Sequence, residues 1–187
     1  MRIPKVSMIV GSSRAESINR KLANAIVRLG ADKSDFEIVK IHELPLYDLE
    51  LEKDWPVSSN RFSSQVAEAD GVLIVTPEHN RSLPAVLKNA IDWGSRPMSA
   101  NVWRDKPVAI TGAARGAIGT ALVQQHVRQI LSGFLGAAVM GGEAYIGGFT
   151  PELIDDDGNI TVEPTRQFLQ AFVDRFAVFA SRFMEAD

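Results

Sequence analysis

Apolar positions fall into two alternating patterns along this chain: short unbroken runs rich in Val and Ile, and longer stretches where apolar residues return every three or four positions. The unbroken runs predict strands at residues 6–10, 36–41, 72–76, 108–111 and 137–146, as expected where both faces of a parallel sheet are covered. The periodic stretches predict five helices. Their stripes are Ile18, Leu22, Ala25, Ile26 and Leu29; Phe62, Val66 and Ala69; Leu83, Leu87, Ala90 and Ile91; Val123, Val127, Ile130, Leu131 and Phe134; and Phe168, Phe172, Phe176, Phe179 and Phe183. The phenylalanine stripe reads as core. Five alternating pairs imply the α/β class, with an open, doubly wound, five-stranded parallel sheet between helices in three layers and a ligand crevice beyond the carboxyl ends of the strands. Functional residues are therefore expected in the loops after strands one, three and four. No repeat or linker divides the chain, so one domain over 1–187 is expected. Residues 42–56 and 147–164 are longer connections. The second holds Asp155-Asp156-Asp157-Gly158-Asn159, which fails the calcium-loop template because Leu153 would stand first and Pro164 twelfth. A solvated turn is the expected structure there.

The loop after the first strand reads Gly11-Ser12-Ser13-Arg14-Ala15-Glu16-Ser17-Ile18-Asn19. Small residues, hydroxyls and one arginine stand where a helix begins, and helix N-termini favour anions. A phosphate site is one reading; a plain N-cap by Ser17 or Ser13 is the other. Neither Gly-x-x-x-x-Gly-Lys-Ser/Thr nor Gly-x-Gly-x-x-Gly occurs here, which argues against nucleoside-triphosphate hydrolysis and a dinucleotide fold. After the third strand, Pro77 and Pro84 bracket Glu78-His79-Asn80-Arg81-Ser82-Leu83. Such a stiffened loop can present backbone donors to a flat ring, or be an ordinary turn capped by Ser82. The loop after the fourth strand, Thr111-Gly112-Ala113-Ala114-Arg115-Gly116-Ala117-Ile118-Gly119, permits close backbone approach through its glycines.

Charge and composition narrow the field. A net charge of −3 without a basic stripe argues against a nucleic-acid partner. No apolar run approaches the roughly 20 residues that span a bilayer, so no membrane partner is expected. Cysteine is absent, removing thiolate nucleophiles and Cys-based metal sites, and His42, His79 and His126 lack ligand spacing. Met-Arg-Ile-Pro-Lys leads straight into a strand without a signal-like segment, and a cytoplasmic protein is expected.

Two motifs in order carry a family resemblance. Gly11-Ser12-Ser13-Arg14-x-x-Ser17-x-Asn19 and Thr76-Pro77-Glu78-His79-Asn80-x-Ser82-x-Pro84-x-x-Leu87-Lys88-Asn89-Ala90-Ile91-Asp92-Trp93 resemble the phosphate loop and flavin-ring loop of the NAD(P)H-dependent FMN reductases, in the bacterial quinone and chromate reductase branch. Leu44-Pro45-Leu46-Tyr47-Asp48 and Gln125–Leu131 extend the likeness over most of the chain. His79 stands where the family usually has tyrosine, and Arg81 is also less usual. The resemblance implies a flavodoxin-like fold and an FMN phosphate against Ser12, Arg14, Ser17, Ile18 and Asn19. It also implies a flavin ring against Pro77, Glu78, His79 and Asn80, with Gly112 and Ala113 completing the crevice. Arg115 either meets the ring or nucleotide charge or is a solvated loop residue. NADPH or NADH would be the co-substrate, and quinones, azo compounds, chromate or free flavin the acceptors, in a ping-pong exchange needing no catalytic side chain. A homodimer or homotetramer is implied as well. A flavodoxin-type electron carrier would share fold and FMN, but the near-balanced charge argues against its acidic docking surface. A phosphoacceptor domain would need aspartates where Val10-Gly11-Ser12 stands, and Gly-x-Ser-x-Gly, the hydrolase signature, is absent.

Overall fold

The computed structural model describes residues 2–184; Met1 and residues 185–187 of the expected domain lie outside them. Apolar runs and stripes form, in order, β1 (Lys5–Val10), α1 (Ile18–Leu29), β2 (Asp35–Val39), α2 (Val57–Glu68), β3 (Gly71–Val75), α3 (Ala85–Gly94), β4 (Pro107–Ala113), α4 (Ala121–Leu131), β5 (Ala138–Val139), β6 (Tyr145–Ile146) and α5 (Glu163–Ser181). The strands pair in the order β2-β1-β3-β4-β5, all parallel, and β6 also pairs with β4. From β1 the chain winds first to β2 on one side and then to β3 on the other. Connections therefore leave the β1–β3 carboxyl edge in opposite directions and open a crevice there. This is the α/β architecture the patterning implies. Among the described residues no helix is long and apolar enough to cross a membrane.

Two apolar clusters fill the faces of the sheet. α1 and α5 cover one, with Met8, Leu73, Phe172 and Phe176; α2, α3 and α4 cover the other, with Ile9, Phe62, Trp93 and Trp103. Both tryptophans are buried by satisfying their indole N–H groups: Trp93 donates to the Pro45 carbonyl at 2.8 Å and Trp103 to that of Ile91 at 3.0 Å. The Leu44–Asp48 motif is docked by the same device, since Asn89 accepts from the Tyr47 amide and donates to the Pro45 carbonyl.

Three expectations change. The strand expected over 137–146 is split in two, because the chain leaves the sheet at Gly141-Gly142, where Gly142 has φ +89, and returns at Tyr145. Arg128 fixes the excursion by donating to the carbonyls of Met140 and Gly142, each at 2.8 Å. The phenylalanine stripe is core only in part: Phe172 and Phe176 are buried, whereas Phe168 and Phe183 are exposed. The buried face of α5 runs through Leu169, Phe172, Val173, Phe176, Ala177 and Ala180, which leaves Phe168 beside it, and Phe183 lies past the end of the helix. Phe134, assigned to the fourth stripe, lies past the end of α4 and is 75% exposed. Asp155–Asn159 forms the expected turn, with the Asp155 carboxylate accepting from the Asn159 amide and Gly158 at φ +82.

Candidate active site

The three loops leave the sheet from one crowded point. A Cβ on Gly11 would stand 2.4 Å from Thr76 Oγ1, and one on Gly112 would stand 2.0 Å from the Thr76 carbonyl oxygen. Only glycine on both sides of Thr76 lets the ends of β1, β3 and β4 lie this close. Beyond them a cleft of about 410 Å³ is lined by Ser12, Arg14, Ser17, Ile18 and Asn19 from the first loop, Pro77, Glu78 and His79 from the second, and Ala113 from the third. Nine of the eleven residues expected at the site are thus brought to one cavity. Asn80 borders an adjoining cleft of about 480 Å³ that shares Glu78 and Ala114 with the first. Gly112 lines neither; it is the buried spacer against Thr76. Glu16, Ala114 and Arg115 complete the first cleft. Ala114 and Arg115 follow directly on residues whose loop position marks them in the sequence. Glu16, an acid on the rim of an otherwise cationic loop, has no signal of that kind.

The first loop is chemically an anion cradle. Ser17 occupies the N-cap position of α1 in extended conformation, yet its hydroxyl makes no capping bond. The amides of Ile18 and Asn19, the first of the helix, have no acceptor among the described residues, and they carry the positive end of the helix dipole. Arg14 lines the same cleft and makes no ion pair with a carboxylate among the described residues. Hydroxyl, amides and guanidinium together match a phosphate, and the helix-cap reading of Ser17 does not hold.

Asn19 departs from its expected part. Its side chain donates to the Ala113 carbonyl at 2.9 Å and accepts from the Ala113 amide at 2.8 Å, fully buried. β3 stops pairing with β4 at Val75 and Thr111, so the carboxamide supplies the backbone partner that the missing strand would have given. Asn19 therefore locks the start of α1 to the end of β4, and only its backbone amide remains for an anion.

The second loop is a two-residue hairpin. The His79 and Ser82 amides bond to each other's carbonyls at 3.1 and 2.9 Å, and both central residues have positive φ, +49 at Asn80 and +65 at Arg81. This is the primed turn whose second central position favours glycine; arginine there costs on the order of 1–2 kcal/mol. Glu78 anchors the hairpin. One carboxylate oxygen accepts from the Leu122 and Val123 amides at 3.1 and 3.2 Å, capping α4 from a distant loop, while the other meets Arg81 at 3.2 Å. The Glu78 side chain is thereby 93% shielded and its carboxylate is occupied, leaving the loop backbone to face a ligand. A second tether joins the Ser82 hydroxyl to His126 Nδ1 at 3.0 Å. Ser82 thus braces the loop and does not cap α3, whose N-cap position is Pro84. A larger cleft, about 720 Å³, lies beyond Ser82 between α3 and α4, away from the anion cradle.

Comparison with known proteins identifies the family and the fold. The family model described as NADPH-dependent FMN reductase matches residues 4–151. A 2-hydroxy-1,4-benzoquinone reductase from Burkholderia sp is 46% identical over 176 residues, 94% of this chain and 95% of that protein. A quinone reductase from Pseudomonas putida is 45% identical over 94% of each chain. Among solved structures, FerB, a flavoenzyme NAD(P)H:(acceptor) oxidoreductase from Paracoccus denitrificans, superposes with a TM-score of 0.92 at 38% identity, covering 97% of this chain and 99% of its own.

The Asn19 brace yields a stability prediction. Asn19→Ala leaves both Ala113 backbone groups buried and unpaired, and should lower unfolding free energy by about 2–5 kcal/mol in urea titration. A change below about 0.5 kcal/mol would show that solvent satisfies Ala113 and that the brace is dispensable.

Proposed function

The chain belongs to the NADPH-dependent FMN reductase family, and from that membership we propose how its clefts divide the work of moving electrons from NAD(P)H to small acceptors. The protein is an NAD(P)H-dependent oxidoreductase with FMN as cofactor. The observation that carries the assignment of the site is the convergence, in one 410 Å³ cleft, of the unpaired amides of Ile18 and Asn19, the free Ser17 hydroxyl and Arg14 with the Pro77–His79 loop. In our reading the first four groups hold the FMN phosphate with the help of Ser12. The backbone of Pro77, Glu78 and His79, with Ala113 and Ala114, borders the ring, and Asn80 and Arg115 line its open side.

Bound there, FMN supplies hydride acceptance and delivery, chemistry no side chain of this chain provides. The protein supplies position and field. Glu78 is held by the α4 amides, so it keeps the hairpin fixed without placing its carboxylate under the ring. Loop amides favour negative charge developing beside them. Quinones are the proposed acceptors, with azo compounds, chromate and free flavin as further acceptors that an open cleft can admit. In this reading donor and acceptor reach the open side of the ring in turn. An enzyme dependent on NAD(P)H is proposed to work in the cytoplasm, where that nucleotide is available.

We also assign a homodimer or homotetramer. The polar run on α4 does not carry this, since its side chains bond within the chain: Gln124 to Thr120 and Ala144, Gln125 to Glu143 and Tyr145, His126 to Ser82, and Arg128 to the 140–142 backbone. Support comes instead from the open cleft between α3 and α4 beside the exposed Phe134, a patch suited to a symmetric contact. Light scattering should return a multiple of the 20.4 kDa chain mass; a monomer across a wide concentration range would refute the assignment.

Arg14→Ala should weaken FMN binding roughly 10- to 150-fold in equilibrium dialysis, the effect of about 1.5–3 kcal/mol for a charge-assisted contact. Unchanged affinity would remove Arg14 from the phosphate site. Initial rates against NADPH at several fixed quinone concentrations should give parallel double-reciprocal lines; intersecting lines would mean that donor and acceptor bind together at separate places.

A further inference from the structure

Arg81 occupies the least favourable backbone position in the hairpin, and nothing in the fold needs an arginine there. Its φ of +65 is a conformation for which glycine is preferred, and its side chain is 65% exposed. Among the described residues it makes one ion pair, monodentate, to Glu78. Strained conformations persist where function uses them. Arg81 lines the 480 Å³ cleft beyond the ring site, whose other walls are Glu78, Asn80, Ala114 and the segment 116–119. Glu78 and Arg81 are the charged residues of that cleft, and Glu78 is already compensated by the amides and dipole of α4. Arg81 is thus the one cation of a slot otherwise lined by Asn80 and small or apolar groups, and the carboxylate it pairs with is shared with the α4 amides.

We propose that Arg81 is a specificity-determining residue that selects compact planar anions as electron acceptors, namely quinones carrying a ring carboxylate or an ionised ring hydroxyl. The inference rests on the reading of the adjoining cleft as the flavin site. One cation in a slot of small residues suits a flat monoanion better than the several phosphate charges of a pyridine dinucleotide, which need more than one basic partner. The overall reaction balances: NADPH gives a hydride, solvent gives a proton, the quinone takes both as two electrons and two protons to become a hydroquinone, and NADP⁺ leaves. The anionic substituent passes through unchanged and serves only as a handle for Arg81.

The test uses FMN-loaded protein with Arg81→Gly, which suits the backbone and removes the charge, and Arg81→Lys, which keeps the charge. Steady-state kcat/KM is measured for a carboxylated benzoquinone and for its uncharged methyl ester. The ratio of anionic to ester acceptor should fall about tenfold or more in Arg81→Gly and recover in large part in Arg81→Lys. In parallel, calorimetric titration of the oxidised protein with 4-hydroxybenzoate should show weakened binding in Arg81→Gly, while 4-hydroxybenzamide binds as to the parent. An equal loss for both acceptors, or a loss confined to the apparent affinity for NADPH, would overturn the proposal by making Arg81 structural or a donor contact. A parent protein that oxidises NADPH with neither quinone would bring down the function proposed above, whereas the benzoate and benzamide titrations would still decide the part played by Arg81.

Discussion

Everything at the site depends on how closely the backbone can approach Thr76. Its amide is held by the Thr111 carbonyl and the Gly11 amide by Val75, so the three strand ends are hydrogen-bonded together at the moment their loops diverge. Glycine at positions 11 and 112 removes the two side-chain carbons that would otherwise force the strands apart. With the ends converged, a helix terminus, a hairpin and a glycine-rich turn face one volume. A methyl group at either position would overlap Thr76 and push the loop origins apart.

The second element of the design is reuse of side chains as backbone. Asn19 stands in for a strand where β3 has ended, Glu78 for the first turn of α4, and Arg128 for a sheet neighbour around residues 140–142. Each satisfies main-chain groups that irregular structure would leave unpaired in a buried place. The polar residues nearest the clefts therefore act chiefly as scaffolding, and the surfaces left open to ligand are backbone amides, serine hydroxyls and a few exposed cations. This suits a family in which the bound cofactor carries the chemistry.

How much of this was legible before folding differs by feature. The sheet and helices follow directly from apolar periodicity, since a strand such as Gly71–Val75, buried throughout, can be written only as an unbroken run. The convergence of three loops follows from strand order. What periodicity does not encode is where a polar side chain finds its partner. Asn19 and Ala113 are 94 residues apart and Glu78 and Leu122 are 44, so their bonds are properties of the folded molecule alone. The division of the last strand was hidden for a related reason: its apolar residues still face the core on both sides of the excursion, so the run looks continuous although the backbone is not. Gly112 was legible as a close approach, and the neighbour it approaches in the fold is Thr76.

The capping of α4 by Glu78 has one more consequence. Helix ends normally fray, because their first amides lose nothing by exchanging with water. Here the Leu122 and Val123 amides are tied to a carboxylate 44 residues earlier in the chain, which is itself tied to the hairpin over the cleft. The first turn of the helix and the hairpin thus share one local opening equilibrium. Loosening either end breaks the same contacts of the Glu78 carboxylate, so order imposed on the hairpin also favours the closed first turn of α4.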